Sequence, residues 1–444
     1  MAGNRTSTIH RLHQVYGDVV RIGPKEVSFS SARVIKELYG QASTFLKAPS
    51  YDDFSLHPVG IFSMRNKNDH KQRRKLLSPA FAQSNLLETE PLIVTVVKRF
   101  LKRVESKVGH PQDVLALFRM LALDIVGGFE NSRLRFIANP YEGELFLGKS
   151  FGALDSDEPP AYIEDIDRYF LAMGMKSSFP WVFKLVSYFP SKRWQFMLEA
   201  PHRLIEYGHA AFGEYVAAHG RDPRFSKHEE ISTEIGNLVF AGTDTTSTTL
   251  TYLFWRLGQS EWQQRLRAEL APVKLLDGVA AFQHLTEYKI LDAVIAETLR
   301  LHPPAPASLQ RETPVGGREL GGYFIPAGTV VSMQCYTTQR NPDVFPNPEI
   351  FDPARWLATP ERIDEMNILQ MPFSRGTRAC LGKNLAMMEL KLVVVSVVKK
   401  FSITVANSTK SSDMRMKDHF LASPAGGRCS LIFDKLVHSS TDDG

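Results

Sequence analysis

A cysteine flanked by arginines and glycines has the residue types of a metal-binding thiolate site. Cys380 lies within residues 373–382, and residues 383–390, which follow directly, have the pattern of the first turns of a helix. The free N–H groups and the macrodipole at a helix N-terminus favour a thiolate over a thiol. Arg375 and Arg378 add positive charge nearby. Because a metal ion needs the thiolate as its ligand, the segment predicts a metal-bound sulfur.

Two glycines bear on what this sulfur binds. We expect Gly376 and Gly382 to leave room on either side of the sulfur for a bulky, flat partner. The alternative is a buried free cysteine that packs as a small hydrophobic side chain, but the glycines and arginines at these offsets count against it.

The three cysteines, Cys335, Cys380 and Cys429, are far apart and form no CxxC pair. A disulfide framework is therefore disfavoured, and a reducing compartment is expected.

The second unusual segment is a polar centre within a helical pattern. Apolar positions recur at helical spacing over residues 231–239 and 250–257, whereas residues 241–249 contain a glycine, an aspartate and five threonines. Threonine hydroxyls can bond back to carbonyls one turn earlier, and glycine costs a helix about 1 kcal/mol relative to alanine. An acid beside a hydroxyl in an apolar setting, here Asp244 and Thr245, suits proton delivery. Equally compatible is a pair of separate helices that abut here, with the threonines as caps.

A third segment, residues 69–81, is strongly basic. On a helix, His70 and Arg74 lie one turn apart on the same face and can reach an anionic group. Lys71 and Lys75 would point elsewhere. On spacing alone, a solvated charged face is the favoured interpretation.

Residues 288–302 have the apolar spacing of a helix that a double proline stops. Glu297 and Arg300 are i,i+3 neighbours that can pair, and Arg355 is a further candidate partner. Exposed, such a pair contributes a few tenths of a kcal/mol. Buried, it fixes geometry more than it adds stability.

The 444 residues have the composition of an ordinary globular protein, with 43% hydrophobic and 23% charged residues. The net charge of +5 is mild; it fits a docking face for an acidic partner or an anionic membrane surface, and no nucleic-acid partner is expected. No stretch reaches the roughly 18–20 apolar residues of a membrane span. The N-terminal residues also lack the apolar core of a secretory signal. We therefore expect a soluble or peripheral protein.

The remaining patterns predict the elements that position these segments. Because the motifs interlock along the chain, residues 1–444 are expected to form a single domain. Residues 131–229 are aromatic-rich and broken by prolines, which is compatible with helices and loops lining a pocket. Helices are predicted over residues 9–15, 32–39, 86–108 and 114–126, and strands over 19–22, 26–29, within 318–333 and from 401 to 436.

Together these segments resemble the cytochromes P-450, the haem-thiolate monooxygenases. The F-x-x-G-x-R-x-C-x-G signature of that family is matched within residues 373–382. Residues 241–246 match A-G-x-D-T-T, residues 297–300 match E-x-x-R, and residues 351–356 resemble the arginine-bearing loop that pairs with it. The resemblance covers residues 10–435 and is closest to filamentous-fungal members of secondary metabolism. It implies a mainly α-helical fold with small β-sheets, with haem between the long central helix and the cysteine-bearing segment.

The resemblance also implies roles for single residues. Cys380 would be the axial thiolate ligand of iron in haem b. Asp244 and Thr245 would relay protons to iron-bound dioxygen, and Ala241 and Gly242 would let the helix approach the haem. The other cofactor-binding positions are Arg378, Arg74, His70 and Arg311, which would hold the haem propionates, and Phe373, Gly376 and Gly382 of the signature.

The activity implied is insertion of one oxygen atom into a hydrophobic small molecule of fungal secondary metabolism. NADPH would supply electrons through a separate flavoprotein reductase, which docks on basic residues near the cysteine: Lys71, Lys75, Arg375 and Lys383. One alternative is a haem-thiolate enzyme that rearranges or dehydrates its substrate without dioxygen, against which the Asp244–Thr245 pair argues. A non-catalytic haem-binding protein is the other, and the complete set of motifs argues against it.

Two features depart from such relatives, which lie on the cytosolic face of the endoplasmic reticulum. The sequence contains neither their N-terminal membrane helix nor the proline-rich hinge, so a cytoplasmic protein with peripheral membrane contact is the other expectation. Residues 224–231 are also short for the family. By resemblance, Glu297, Arg300 and Arg355 would form a structural triad. The substrate pocket would be lined from residues 131–229, the surroundings of Ala241, and residues 305–309 and 420–422.

Overall fold

The computed structural model describes residues 3–127, 151–219 and 228–436. Most of these residues are helical. The α-helices are α1 (Arg5–Tyr16), α2 (Ala32–Tyr39), α3 (Ser50–Asp53), α4 (Lys67–Leu77), α5 (Gln83–Glu105), α6 (Val114–Gly127), α7 (Ala161–Ser178), α8 (Pro180–Ser187), α9 (Lys192–Leu198), α10 (Ala200–His219), α11 (His228–Leu257), α12 (Trp262–Glu269), α13 (Lys289–Leu301), α14 (Cys335–Thr338), α15 (Pro360–Leu369) and α16 (Lys383–Lys400).

The strands are short and form small sheets. They are β1 (Val19–Gly23), β2 (Glu26–Phe29), β3 (Leu46–Lys47), β4 (Gln112–Asp113), β5 (Arg311–Glu312), β6 (Arg318–Leu320), β7 (Tyr323–Ile325), β8 (Val330–Ser332), β9 (Phe401–Val405), β10 (Met416–His419), β11 (Leu421–Pro424) and β12 (Ser430–Lys435). Short 3-10 turns span Ser78–Phe81, Ala153–Asp155, Phe282–Leu285, Pro353–Leu357 and Gly376–Arg378. A mainly α-helical fold with small sheets is the predicted class.

Helix α11 is a single helix of 30 residues, so the interpretation as two abutting helices is wrong. The threonines do not cap helix ends. As the composition predicts, their hydroxyls bond back along the helix: Thr243 donates to the Val239 carbonyl and Thr245 to the Ala241 carbonyl, each at 2.7 Å. Glu229 and Glu230 in the first turn complement the positive end of the helix dipole. The helix tolerates its polar centre because neighbouring elements pack around it.

The largest sheet has the order β1-β2-β8-β5-β3 and is mixed, with β2 and β8 parallel. Strands β1 and β2 confirm the predicted pair. The register places Lys47 of β3 directly opposite Arg311 of β5. Like charges opposite each other destabilise an antiparallel pair, so this position is a departure from ordinary sheet packing.

The core has two parts. The larger cluster joins α5, α6, α11 and α16; within it Phe118 stacks on Phe254 with ring centroids 5.3 Å apart. The smaller cluster fills the space between the mixed sheet, α2 and α15. A single domain over residues 1–444 stays a prediction.

Some predicted features lie outside the described residues. These are residues 131–150 and 220–227 of the aromatic-rich region. The second range includes the first half of the short stretch 224–231, whose second half belongs to α11. Across the three described ranges, every helix is too short or too polar to cross a lipid bilayer.

Candidate functional site

The segment before α16 folds into a tight loop that presents the Cys380 sulfur. The Cys380 N–H donates to the Phe373 carbonyl at 2.7 Å and closes the loop. Ser374 and Gly376 have φ values of 55° and 63°, in the left-handed region. The sulfur is reached by solvent from one side. Helix α16 begins three residues later, with Gly382 as its N-cap residue.

The thiol itself departs from the prediction. Burial among the loop residues raises the pKa of Cys380 above its ordinary value, although the Gly382 N–H and the charges of Arg74 and Lys383 lower it. The expectation that the helix N-terminus and the arginines alone favour a thiolate is therefore wrong in direction. Desolvation outweighs the favourable dipole and charges, and a metal cation bound to the sulfur would stabilise the thiolate further.

The two signature glycines serve different purposes. A Cβ on Gly376 would lie 2.1 Å from the Tyr39 carbonyl oxygen, so this glycine makes room for the backbone after α2. The prediction that it leaves space beside the sulfur is corrected accordingly. A Cβ on Gly382 would approach only Phe81, at 4.0 Å. The open side of the loop is therefore at Gly382.

The centre of α11 has one open face and one tightly packed face. Ala241 is exposed, and Gly242 and Thr245 are half-buried, whereas Thr243, Asp244 and Thr246 are buried. Gly242 faces α6, where a Cβ would lie 2.6 Å from Val126 Cγ2. Close packing of α11 on α6 thus explains why residue 242 is a glycine, without reference to a cofactor. The open face of the helix contains Ala241 and Thr245.

Asp244 points away from that open face toward α6 and α7. Its Oδ1 lies 3.1 Å from Arg119 Nε, and its Oδ2 accepts from Arg119 Nη2 at 3.4 Å. Arg119 also donates two shorter bonds to Asp167 of α7, at 2.7 and 2.9 Å. Burial raises the pKa of Asp244 to about 6, with the Arg119 charge opposing it. A carboxyl group with this pKa can hold or release a proton near neutral pH.

Five basic side chains from separate parts of the chain converge near the cysteine loop. They are Lys47, His70, Arg74, Arg311 and Arg378. Within the described residues, no aspartate or glutamate side chain forms an ion pair with any of them. Such a cluster of desolvated cations is unfavourable unless an anion binds it.

Individual members of this cation cluster are held by backbone carbonyls. Arg74 donates to the Ala379 carbonyl at 2.7 Å, beside Cys380. Arg378 donates to the carbonyls of Met64 and Arg65 at 2.6 and 3.0 Å. Burial, followed by the charges of its neighbours, lowers the pKa of Arg378 to about 10. The arginines keep donors that these bonds do not use.

His70 is buried, and burial together with the surrounding cations lowers its pKa to about 3. It is therefore neutral at physiological pH and can contribute an N–H donor. Lys71 and Lys75 are exposed, as their position on the other face of α4 predicts. The interpretation of the whole segment as a solvated face is wrong for His70 and Arg74.

Sequence analysis missed Lys47. It is 8% exposed, its Nζ donates to the Phe62 carbonyl, and burial lowers its pKa well below the ordinary value. Its position depends on the pairing of β3 with β5, strands of two residues each. A lysine between Leu46 and Ala48 in a buried stretch is the only signal that the sequence offers.

The Glu297–Arg300 pair and Arg355 meet as predicted. Arg300 donates two bonds of 2.8 Å to the Glu297 carboxylate, and both side chains are fully buried. Arg355 Nε lies 3.3 Å from Glu297 Oε1, and Trp356 Nε1 donates to Oε2 at 3.0 Å. This carboxylate ties α13 to the turn Pro353–Leu357.

Aromatic side chains from separate parts of the chain form a cluster that includes Phe240, the residue before Ala241. Phe240 of α11 contacts Phe170 of α7 at 5.6 Å between ring centroids, and Phe170 stacks on Phe420 at the same distance. Phe54 and Phe62 also contact Phe420. Phe420, between β10 and β11, has a φ of 85°, which is unusual for a residue with a side chain. The predicted proximity of residues 420–422 to α11 agrees with this arrangement, and the Thr248 hydroxyl donates to the Ala422 carbonyl at 3.2 Å.

Comparison with known proteins decides the family. The sequence profile described as Cytochrome P450 matches this chain over residues 1–216 and 213–430. The chain belongs to the cytochrome P450 family. It is accordingly a haem-dependent monooxygenase, an oxidoreductase that incorporates one atom of molecular oxygen.

Curated relatives of this cytochrome P450 come from filamentous fungi. It is 31% identical to cytochrome P450 monooxygenase tazI of Aspergillus terreus, over 97% of this chain and 89% of that protein. It is 30% identical to cytochrome P450 monooxygenase stcB of Emericella nidulans, over 97% of this chain and 84% of that protein. The predicted resemblance to fungal secondary-metabolism members is confirmed.

Solved structures show the same fold. The crystal structure of a cytochrome P450DA heme domain superposes with a TM-score of 0.80 at 18% identity, covering 98% of this chain and 94% of that one. The predicted fold class is confirmed.

The residues present fit the family's haem. Its two carboxylates are the anions that the cation cluster lacks, and arginine forks suit carboxylates. Its iron takes a cysteine thiolate as axial ligand in the P450s. Its flat ring needs open space beside the sulfur, which the exposed Cys380 and the side of Gly382 provide.

Proposed function

We propose that this cytochrome P450 oxidises a hydrophobic small molecule of fungal secondary metabolism at a haem b held between α11 and the Cys380 loop. One observation carries the proposal: five buried or half-buried basic groups converge beside an exposed cysteine, and none of them has an acidic partner in the part of the chain that the structure describes. A dianionic ring with a metal at its centre satisfies both features together.

In this arrangement Cys380 Sγ would be the iron ligand. Arg74, Arg311, Arg378 and His70 would donate to the propionates, together with Lys47. Phe373, Gly376 and Gly382 shape the loop that presents the sulfur. When bound, the haem supplies activation of dioxygen, which electron density from a thiolate ligand favours.

Helix α11 forms the opposite wall. The small side chain of Ala241 leaves space, and Thr245 Oγ1 is half-exposed one turn later, where it can accept or donate a proton. Burial raises the pKa of Asp244 to about 6, so its carboxyl group can exchange a proton near neutral pH. We assign proton transfer to these two residues.

The aromatic cluster around Phe420 supports an apolar substrate. Rings from α7, α11 and the β10–β11 connection meet where the open face of α11 begins. Pockets for small molecules are lined mainly by such side chains, and aromatic faces accept extended or fused-ring substrates.

Arg311→Met tests the cation cluster. Arg311 is 4% exposed and donates a hydrogen bond to the carbonyl of its neighbour Gln310. Without haem, the change removes a desolvated charge that faces Lys47 and Arg378. The melting temperature of the haem-free variant should therefore rise by about 1 °C, which corresponds to about 1 kcal/mol in a protein of this size. In the loaded protein a propionate partner is lost, so haem should dissociate about tenfold faster.

These opposite signs distinguish an anion site from a structural one. Arg340→Met is the control, because that buried arginine pairs with Glu349. It should lower the melting temperature with and without haem. A lower melting temperature of haem-free Arg311→Met, with unchanged haem release, would contradict the cluster's assignment.

We further propose that an NADPH-dependent flavoprotein reductase docks on Lys71, Lys75 and Lys383, which are exposed near the cysteine loop. Arg375 contributes less, because it is half-buried with its Nε enclosed. Changing the three lysines to glutamine should slow reduction about tenfold at low salt and flatten its salt dependence. The same change at Lys410, Lys417 and Lys435 should leave the rate of reduction and its salt dependence unaltered. Stopped-flow reduction measures the rates, and equal behaviour of the two triple variants would argue against this face.

Membrane contact is proposed at α8 and α9. Trp181, Leu185 and Tyr188 are 71%, 67% and 75% exposed, and the basic residues Lys184, Lys192 and Arg193 lie among them. Apolar side chains with interspersed cations suit an anionic bilayer surface, such as the cytosolic face of the endoplasmic reticulum. Trp181→Ser with Tyr188→Ser should weaken binding to phosphatidylserine vesicles at least about tenfold. Val315→Ser, also at an exposed site, should not. Equal vesicle binding by both would remove this assignment.

A further inference from the structure

Two carboxylates compete for one arginine at the junction of α6, α7 and α11. Arg119 of α6 donates bonds of 2.7 and 2.9 Å to Asp167, which is 55% exposed on α7. Its bond to Asp244 of α11 is 3.4 Å, and the closer Nε–Oδ1 approach of 3.1 Å lacks hydrogen-bond alignment. The better geometry therefore belongs to the surface carboxylate.

This geometry leaves Asp244 incompletely neutralised. Its Oδ1 is buried without a hydrogen bond, which is costly for a carboxylate and tolerable for the protonated acid. Were α7 to move away, Asp167 would release Arg119, and the arginine could turn both of its donors to Asp244. Charged Asp244 would then be stabilised, and its proton would be held less tightly.

We propose that Arg119 is a positioning residue that couples the docking of α7 to the proton affinity of Asp244. With α7 docked, Asp167 occupies Arg119 and Asp244 binds its proton more tightly. With α7 lifted, Arg119 pairs with charged Asp244 and the proton is bound less tightly. The inference rests on the proposed role of Asp244 in proton transfer and adds a condition to it: a larger fraction of Asp244 is protonated when α7 covers the site.

The elements around Asp244 contain few other charges that could set its proton affinity. Burial raises the pKa of Asp244 to about 6; the charge of Arg119 lowers it and that of Asp167 raises it. The titratable groups facing this junction are Arg119 and Asp113 at α6, Asp167 and Tyr162 on α7, and His419 of β10, which lies near Asp167.

The test measures the pKa of Asp244 directly in the full-length, haem-loaded ferric protein. The infrared carboxylic-acid band that is missing in Asp244→Asn is followed as a function of pH. Asp167→Asn should shift the midpoint downward by about one unit or more, and Arg119→Gln should shift it upward by a similar amount. Glu164→Gln is the control, because it removes the same charge from an exposed pair on the same helix. In Glu164→Gln the titration midpoint of Asp244 should stay at the wild-type value.

A double variant distinguishes competition for Arg119 from direct repulsion between the Asp167 and Asp244 carboxylates. If Asp167 acts through Arg119, Asp167→Asn should shift the midpoint much less in the Arg119→Gln background than in the wild type. Equal shifts in both backgrounds would overturn the proposal, and so would an Asp167→Asn midpoint equal to that of Glu164→Gln. If Arg119→Gln fails to fold, the comparison of Asp167→Asn with Glu164→Gln still decides.

The coupling between α7 docking and Asp244 protonation can also be measured from the side of α7. Because coupling is mutual, protonating Asp244 must favour docked α7. Asp244→Asn, which stays neutral, should slow hydrogen exchange of α7 amides at pH 8 by about tenfold for each pKa unit of coupling. At about pH 5, where wild-type Asp244 is protonated, the two proteins should match. Identical exchange at both pH values would also overturn the proposal. Neither readout requires turnover, so a negative result here leaves the proposed monooxygenase site standing.

Discussion

Replacing Glu297 by glutamine should lower the free energy of unfolding by about 3–5 kcal/mol. The Glu297 carboxylate accepts both forks of the fully buried Arg300 and also faces Arg355 and the Trp356 N–H. Glutamine keeps the shape but removes the charge and turns a donor toward the arginines. Two guanidinium groups then remain desolvated with no counter-charge. The backbone between α13 and the turn Pro353–Leu357 should loosen as a result.

The Arg362–Glu365 pair is a matched control. It also has i,i+3 spacing, but its side chains are 33% and 49% exposed. Glu365→Gln should cost less than about 0.5 kcal/mol, because solvent screens an exposed pair. Denaturant unfolding of the haem-loaded proteins measures both values. A loss below about 1 kcal/mol for Glu297→Gln would show that the pair contributes little, contrary to its complete burial.

Cys380→Ser should abolish the thiolate-type absorption of the reduced, carbon-monoxide-bound protein and reduce product formation by about a hundredfold or more. A serine hydroxyl in this recess stays protonated, since burial already raises the pKa of the more acidic cysteine thiol. The propionate donors are untouched, so haem should still bind. The variant therefore separates loss of the ligand from loss of the cofactor.

Cys335→Ser serves as its control. Cys335 is buried and donates from its thiol to the Met371 carbonyl at 2.9 Å, a bond that a serine hydroxyl can keep. Its absorption and product formation should equal those of the wild type. Loss of the thiolate band in Cys335→Ser but not in Cys380→Ser would mean that the wrong cysteine has been assigned.

Local chemistry was readable from the sequence where the residues that act together are close along the chain. The Cys380 loop, the polar centre of α11 and the Glu297–Arg300 pair all fall within single elements or turns, so their spacing identified them as sites, although it left one helix or two open for α11. The family resemblance supplied a partner that lies far away, Arg311.

The remaining features depend on tertiary packing, which spacing does not encode. Lys47 enters the cation cluster only through the register of β3 and β5. Arg119 reaches Asp244 because Gly242 lets α11 approach α6. Burial reversed the expected direction of the Cys380 pKa, because desolvation depends on how many atoms surround the sulfur.

Haem titrated into the cofactor-free chain, followed by reduction and exposure to carbon monoxide, tests the central claim most directly. The account predicts stoichiometric binding and a Soret band at the position characteristic of thiolate-ligated haem, which Cys380→Ser lacks. A band at the position of nitrogen-ligated or thiol-ligated haem in the active wild-type protein would contradict the account.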